Sequence, residues 1–201
     1  NSETKFFLGI LASTVAIIGG AIFFFSRPTN APLIDPKLLI REDSSKFGSP
    51  SATLTLVEFG DFQCPACGAY HIVIKQLLEK YSDSLALVFR HFPLPSHPNA
   101  MPASRAVEAA GKQGKYWEMY TKEYETQKDW SAVKNAPEIF AGYAKEFGLN
   151  TDQFTKDTAS QEVQKRIDAD VSDATVLGIN STPSFFLNGE RIQHPASLED
   201  F

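Results

Sequence analysis

The sequence holds 201 residues, 43% of them hydrophobic and 21% charged, enough apolar material for one ordinary domain with additional segments. A formal charge of −5 leaves no surplus of Lys and Arg for a phosphate backbone, which excludes nucleic acid as a natural partner. The chain opens at Asn1 without an initiator Met and stops at Phe201, just after Ser197 and Asp200 open a helix, so a piece of a longer protein with its last helix cut off is expected.

Phe6 to Phe25 carries no charge and is flanked by Lys5 and Arg27. As a helix it spans about 30 Å, the thickness of a bilayer hydrocarbon core. The run is too long for a signal-peptide core and ends on Phe23-Phe-Phe25 rather than on small residues, so residues 6–25 are expected to form a single uncleaved transmembrane helix. Residues 26–50, with Pro28, Pro32, Pro36 and Pro50, form a tether, within which Lys37 to Arg41 is expected as an edge strand.

Thr53 to Phe59 is short, β-branched and nearly continuous in apolar residues, which predicts a strand covered on both faces. Gly60-Asp61 ends it, with Asp61 placed to cap the turn. From Pro65 onward Tyr70, Val73, Ile74, Leu77, Leu78 and Tyr81 recur at helical spacing, and a proline is tolerated in a first turn. Cys64 therefore stands at a helix N-terminus, where unsatisfied N–H groups stabilise a thiolate and lower its pKa. Cys67 follows by three residues, within reach of a disulfide, and no other cysteine exists. The pair reads as a two-electron dithiol switch. Three other readings compete: a structural disulfide, half of a zinc site using His71, and two inert buried thiols.

Leu85 to Phe92 predicts a second buried strand, and strand, helix, strand implies a parallel pair joined by a crossover. Pro102 to Leu177 reads as helical throughout, with pieces at Ala103 to Ala110, Tyr116 to Glu125, Pro137 to Phe147 closed by Gly148, Asp152 to Lys156, and a longer one capped by Ser160. The charges of that last helix, Lys165, Arg166, Asp168, Asp170 and Asp173, read as its solvated face. Thr182 to Leu187 predicts a strand opened by Pro183, and Asn188-Gly189 is a strong hairpin signal leading into Glu190 to Gln193. Taken alone, Pro183 reads as an ordinary trans proline at a strand edge.

Three stretches carry a resemblance: Val57-Glu-Phe-Gly-Asp-Phe-Gln-Cys-Pro-Ala-Cys67, then Val88-Phe-Arg-His-Phe-Pro-Leu94 with His97-Pro-Asn-Ala100, then Gly178-Ile-Asn-Ser-Thr-Pro-Ser-Phe-Phe-Leu-Asn-Gly189. In order and spacing they resemble the DsbA-like branch of the thioredoxin superfamily, and more narrowly its membrane-anchored bacterial thiol–disulfide oxidoreductases. The resemblance implies an α/β thioredoxin fold over residues 51–201 with a helical insertion at about 98–178. It implies Cys64 as nucleophile, Cys67 as resolving thiol, Pro183 as a cis proline beside them, Thr182 with Pro65 and Ala66 as substrate contacts, and Glu58 as the buried acid beneath the pair. A carboxyl in an apolar strand is poorly solvated, so on physical grounds too Glu58 should hold a proton and exchange it with Cys67.

These features lead to the expectation of an extracytoplasmic enzyme that oxidises reduced secreted proteins, anchored as a single-pass protein of the cell membrane. Its use of cysteine only in the switch suits an oxidising compartment. No metal, flavin or nucleotide cofactor is called for, and a quinone-linked membrane partner would restore the disulfide. A reductase or isomerase of the same fold, and a tethered peptide-binding module or chaperone without turnover, are the alternatives.

Overall fold

The computed structural model describes residues 34–192. Their elements in order are α1 (Pro36–Leu39), β1 (Lys46–Gly48), β2 (Leu54–Gly60), α2 (Pro65–Lys80), β3 (Leu85–His91), α3 (Ala100–Gly111), α4 (Tyr116–Glu125), α5 (Gln127–Trp130), α6 (Ala136–Glu146), α7 (Thr151–Thr158), α8 (Gln161–Val176), β4 (Ser184–Leu187) and β5 (Glu190–Ile192). The expected membrane helix at 6–25, the truncated helix after Ser197 and the first part of the tether, residues 26–33, lie outside the described residues. Among the described residues no helix is long and apolar enough to cross a membrane.

The five strands form one sheet in the order β1-β3-β2-β4-β5. β2 and β3 run parallel from Leu54↔Leu85 to Gly60↔His91, with α2 as their crossover. β4 lies antiparallel on the other side of β2, pairing Phe59 with Ser184 and Leu56 with Leu187, and β1 pairs antiparallel with β3. Six helices, α3 to α8, stand between β3 and β4, so the expected insertion is present and occupies residues 100–176. This is a mixed α/β thioredoxin-like fold with a helical insertion.

Both faces of the central strands are covered, which is why they read as continuous apolar runs. On one face Leu56, Leu87, Phe89 and Phe185 pack against Ile74 and Leu77 of α2 and against Met119, Trp130, Phe140 and Phe154 of the insertion. On the other, Val57, Phe59, Val88 and Phe186 meet Leu39, Ala174 and Ile179. Side chains alternate along a strand, so Glu58 shares the α2 face with Leu56 and points beneath the start of that helix. The β4–β5 turn has the predicted Asn188-Gly189 pair, both at positive φ, 48° and 93°, as a tight hairpin of this kind requires.

Two expectations are corrected. Residues 37–41 do not form a strand: Asp35 accepts a hydrogen bond from the Lys37 N–H at 3.0 Å and Pro36 opens a helical turn that runs to Leu39, while the edge strand falls at Lys46–Gly48. A first-turn proline behind an Asx cap is a helix start, and it outweighs a short apolar run that suits strand and helix equally.

The charges of α8 are the second correction, because only part of them is solvated. Asp170 is fully buried, and its carboxylate accepts from Arg90 Nε at 2.6 Å and from the His91 N–H at 2.9 Å. Arg90, itself fully buried in β3, also donates to Asp173 at 2.6 Å and to the carbonyls of Leu38 and Leu39 at 3.0 and 2.6 Å. One guanidinium thereby ties β3, α1 and α8 together, and its planar fork suits that number of acceptors. Removing Asp170 takes one of two carboxylates from the buried guanidinium and leaves the buried His91 N–H unpaired, so Asp170→Ala is expected to lower the unfolding free energy by about 3 kcal/mol in a denaturant titration. Asp168→Ala, on the exposed side of the same helix, should change it by less than about 0.5 kcal/mol.

Candidate active site

The site begins at the turn between β2 and α2. Asp61, fully buried, caps it as expected: Oδ1 accepts from the N–H groups of Gln63 and Cys64 at 2.7 and 3.2 Å. Its other oxygen accepts from the Leu94 N–H at 2.8 Å and meets His97 Nδ1 at 2.7 Å, so the loop after β3 is fastened to the same turn. Pro65 opens α2 and leaves Cys64 at the N-cap with extended backbone, its side chain making no cap of its own.

Cys64 and Cys67 are free thiols, the first 7% exposed and the second 0%. Cys64 is made acidic, its pKa lowered to about 5, chiefly because the Cys67 thiol donates to its sulfur, with the N–H groups of Ala66 and Cys67 adding to the effect. Those amides are the orphan donors of a helix N-terminus. Cys67 is pushed well above its ordinary value by burial first, then by the same hydrogen bond and by the negative charges of Glu58 and Cys64. One sulfur of the pair therefore carries charge at neutral pH and the other keeps its proton.

β4 supplies the second wall. The Thr182–Pro183 peptide is cis, which corrects the trans reading of Pro183 taken alone and agrees with what the resemblance implied. In its thiol form Cys64 Sγ donates to the Thr182 carbonyl at 3.6 Å. Pro65 and Ala66 lie exposed on the first turn of α2 beside it.

Glu58 is fully buried and accepts from the Tyr120 hydroxyl at 3.3 Å through Oε2, while Oε1 has no partner among the described residues. Burial raises its pKa to about 8; the Tyr120 hydrogen bond pulls the other way, and the Cys64 charge adds to the rise. The fold thus brings Cys64, Cys67, Thr182, Pro183 and Glu58 together from β2, α2 and the start of β4. His71, one turn beyond Cys67, is buried between Tyr120 and Tyr124 and stacked on the latter at 5.1 Å, and burial lowers its pKa to about 4. Among the described residues no group of three His, Cys, Asp or Glu could hold a metal ion. A groove of about 940 Å³ between α2 and α4, lined by Ile74, Leu78, Trp117 and Phe147, borders His71 and Tyr120 rather than the cysteines.

Several residues that hold the site went unnoticed in the sequence. Gln127 Nε2 donates to the carbonyls of Phe62 and Cys64 at 2.6 and 2.9 Å, and its side chain lies where Gly68 has no Cβ: one placed there would stand 2.7 Å from Gln127 Oε1. Gln63 donates to the Ser131 carbonyl at 2.7 Å and accepts from the Asn99 N–H at 2.6 Å. These links fasten the Cys64 turn to α5 and to the start of α3. Nothing in the local pattern around Gln127 or Tyr120 announces them, since both act across more than fifty residues of chain.

Residues 41–201 match the family described as thioredoxin. A thioredoxin-like oxidoreductase from Silicibacter pomeroyi DSS-3 superposes with a TM-score of 0.66 at 28% identity, over 78% of this chain and 87% of that one. Wolbachia pipientis alpha-DsbA1 does so at 0.68 and 25%, over 76% and 78%. BdbD from Bacillus subtilis, 21% identical with a TM-score of 0.69 over 78% of this chain and 88% of that one, shares the fold. Among curated proteins, Na(+)/H(+) antiporter NhaA 1 of Mycolicibacterium gilvum is 36% identical over 94% of this chain but 31% of its own length. The chain thus spans 22% to 31% of the length of the curated relatives it matches. On the match of residues 41–201 and on its structural neighbours, the chain belongs to the thioredoxin family, in its DsbA-like branch.

Proposed function

We propose that the chain is an extracytoplasmic, membrane-anchored thiol–disulfide oxidoreductase that introduces disulfides into reduced secreted or envelope proteins through Cys64 and Cys67. The observation that carries this reading is the split between the two sulfurs, Cys64 acidic at about 5 and Cys67 held well above the ordinary value, beside a cis proline. A dithiol form stabilised in this way gives up its two electrons reluctantly, so the disulfide form is a good oxidant.

In the proposed cycle a substrate thiolate attacks Cys64 of the Cys64–Cys67 disulfide, forming a substrate–Cys64 disulfide and releasing the Cys67 sulfur. Glu58, at about 8, can protonate that sulfur because Cys67 sits higher still. A second substrate thiolate then attacks the substrate sulfur, the substrate disulfide closes, and Cys64 departs as the stabilised thiolate. Thr182 and Pro183, with Pro65 and Ala66, flank the sulfur and would hold the substrate's main chain. Two electrons pass from substrate to the pair, and a quinone-linked membrane partner would take them on.

The extracytoplasmic placement rests on the apolar run Phe6 to Phe25 and on the use of cysteine in the switch alone. Antiport is named for relatives about three times the matched length, and the portion shared with them is this thioredoxin-type domain.

Two experiments test the reading. Cys64→Ser should abolish exchange with a reduced, unfolded protein, whereas Cys67→Ser should accumulate a covalent substrate adduct at Cys64, visible on a non-reducing gel; binding without turnover would leave partner capture unaffected by Cys64→Ser. Thermal unfolding of the dithiol and disulfide forms across pH gives the second. A thiol whose pKa falls from 9.0 to about 5 on folding stabilises the dithiol form fully above about 9, and that stabilisation is lost as pH falls through about 5. The gap in midpoint between dithiol and disulfide forms should therefore open as pH rises over that window. Glu58, whose raised value acts in the opposite sense between 4.5 and about 8, is present in both forms and cancels to first order. A gap that stays constant from pH 5 to 9 would remove the basis for an oxidant.

A further inference from the structure

The geometry points to Tyr120 as a positioning residue of the redox site: its hydroxyl holds Glu58 Oε2 and so leaves Oε1 as the oxygen that exchanges a proton with Cys67. This rests on the dithiol chemistry proposed above and adds to it the route by which the helical insertion acts on the pair.

Tyr120 belongs to α4, far in sequence from either cysteine, and is 3% exposed. Its ring is fixed from many sides, with centroids 5.8 Å from Phe62, 5.1 Å from Phe89, 5.1 Å from Trp117 and 5.1 Å from Tyr124. So caged a phenol has little choice of where to aim its hydroxyl, and it aims at a carboxyl that has no other hydrogen bond among the described residues. The groups facing Glu58 are few. From α2 come the sulfurs of Cys64 and Cys67, and from α4 the hydroxyls of Tyr120 and Tyr124. The flanking strands offer Phe89 and Phe185 in register, and Asp61, from the turn after β2, acts on Tyr124 rather than on Glu58 directly. No cation stands among them. Tyr120 is thus the donor that favours the carboxylate against burial, and without it Glu58 would be a weaker acid and, below its own pKa, a scarcer base.

The proton balance is simple. When Cys67 attacks a disulfide formed at Cys64, its S–H proton passes to the Glu58 carboxylate at Oε1, a Cys67–Cys64 bond forms, and the bond from Cys64 to the outer sulfur breaks with that sulfur leaving as thiolate. Tyr120 keeps its own proton throughout and stays hydrogen-bonded to Oε2.

The test follows the two steps separately in the full chain. Reduced protein is mixed with oxidised glutathione, and capture at Cys64 and the later closure by Cys67 are timed across pH. Tyr120→Phe keeps the ring and removes the hydroxyl. Losing one hydrogen bond to a charged group should move the pH midpoint of the closing step up by about one unit and slow closure about tenfold at pH 7, with capture unchanged. Site-specific 3-fluorotyrosine at position 120, a stronger donor of nearly the same shape, should move the midpoint down. Packing alone predicts neither opposite shift. A wild-type midpoint in both variants, with the wild type turning over normally, overturns the role of Tyr120 and leaves the dithiol reading standing. A wild type that captures no glutathione at Cys64 overturns both.

Discussion

Three acidic groups share one dry space in this fold, and at neutral pH it tolerates one negative charge. Cys64 raises the cost of ionising both Cys67 and Glu58, Glu58 raises that of Cys67, and burial penalises all three. The charge settles on Cys64 because that sulfur alone faces the N–H groups at the tip of α2 and receives the Cys67 thiol as donor. Everything else around the site can be understood as keeping this competition from having a second answer. Pro65 starts the helix where it must start, Asp61 fixes the turn before it, and the alternation of β2 sends Glu58 under the pair rather than to the far side of the sheet.

The helical insertion contributes rigidity where a thioredoxin-like core by itself would leave a loose turn. Gln127 reaches the carbonyls of Phe62 and Cys64, Asn99 spans the carbonyls of Trp130, Ser131 and Val133, and Gln63 accepts from the Asn99 N–H and donates to the Ser131 carbonyl. These are neutral, buried or half-buried amides, whose hydrogen bonds cost dearly when left unmade. They fasten the backbone near the sulfurs without placing another charge beside them. On the other face of the sheet, where no redox chemistry competes, the fold instead uses full charges, with Arg90 paired to Asp170 and Asp173.

Much of this was legible in the sequence, and the part that was not has a common cause. Local signals survived folding: the strand at Thr53, the proline-opened helix behind Cys64, the Ser160 cap that accepts from the Val163 N–H, and the Asn188-Gly189 turn all stand where the pattern put them. Glu58 could be placed because strand parity is a local rule. Asp170 could not, because a carboxylate on a helix face looks the same whether it meets water or a buried arginine in a strand eighty residues away. Tyr120 and Gln127 escaped for the same reason. A hydroxyl or amide becomes part of a site through its partner, and the partner is settled by tertiary packing. Residues 37–41 differ in kind: the Asp35-Pro36 helix signal is local and present, and the apolar run after it is too short to distinguish strand from helix.

The one-charge rule also suggests how the proposed cycle keeps time. While Cys64 is a thiolate it raises the pKa of both Glu58 and Cys67, so neither is ready to lose a proton. When the reduced pair is reoxidised, Cys64 becomes bonded to a sulfur of the oxidant, its charge is gone, and the electrostatic part of both penalties goes with it. Glu58 then ionises more easily, and Cys67 meets a base that was absent a moment earlier. Burial, the largest cause acting on each, remains in place and keeps bulk water from supplying that base instead. The second thiol is therefore armed by the capture made at the first, an order of events enforced by electrostatics within a few residues and needing no movement of the fold.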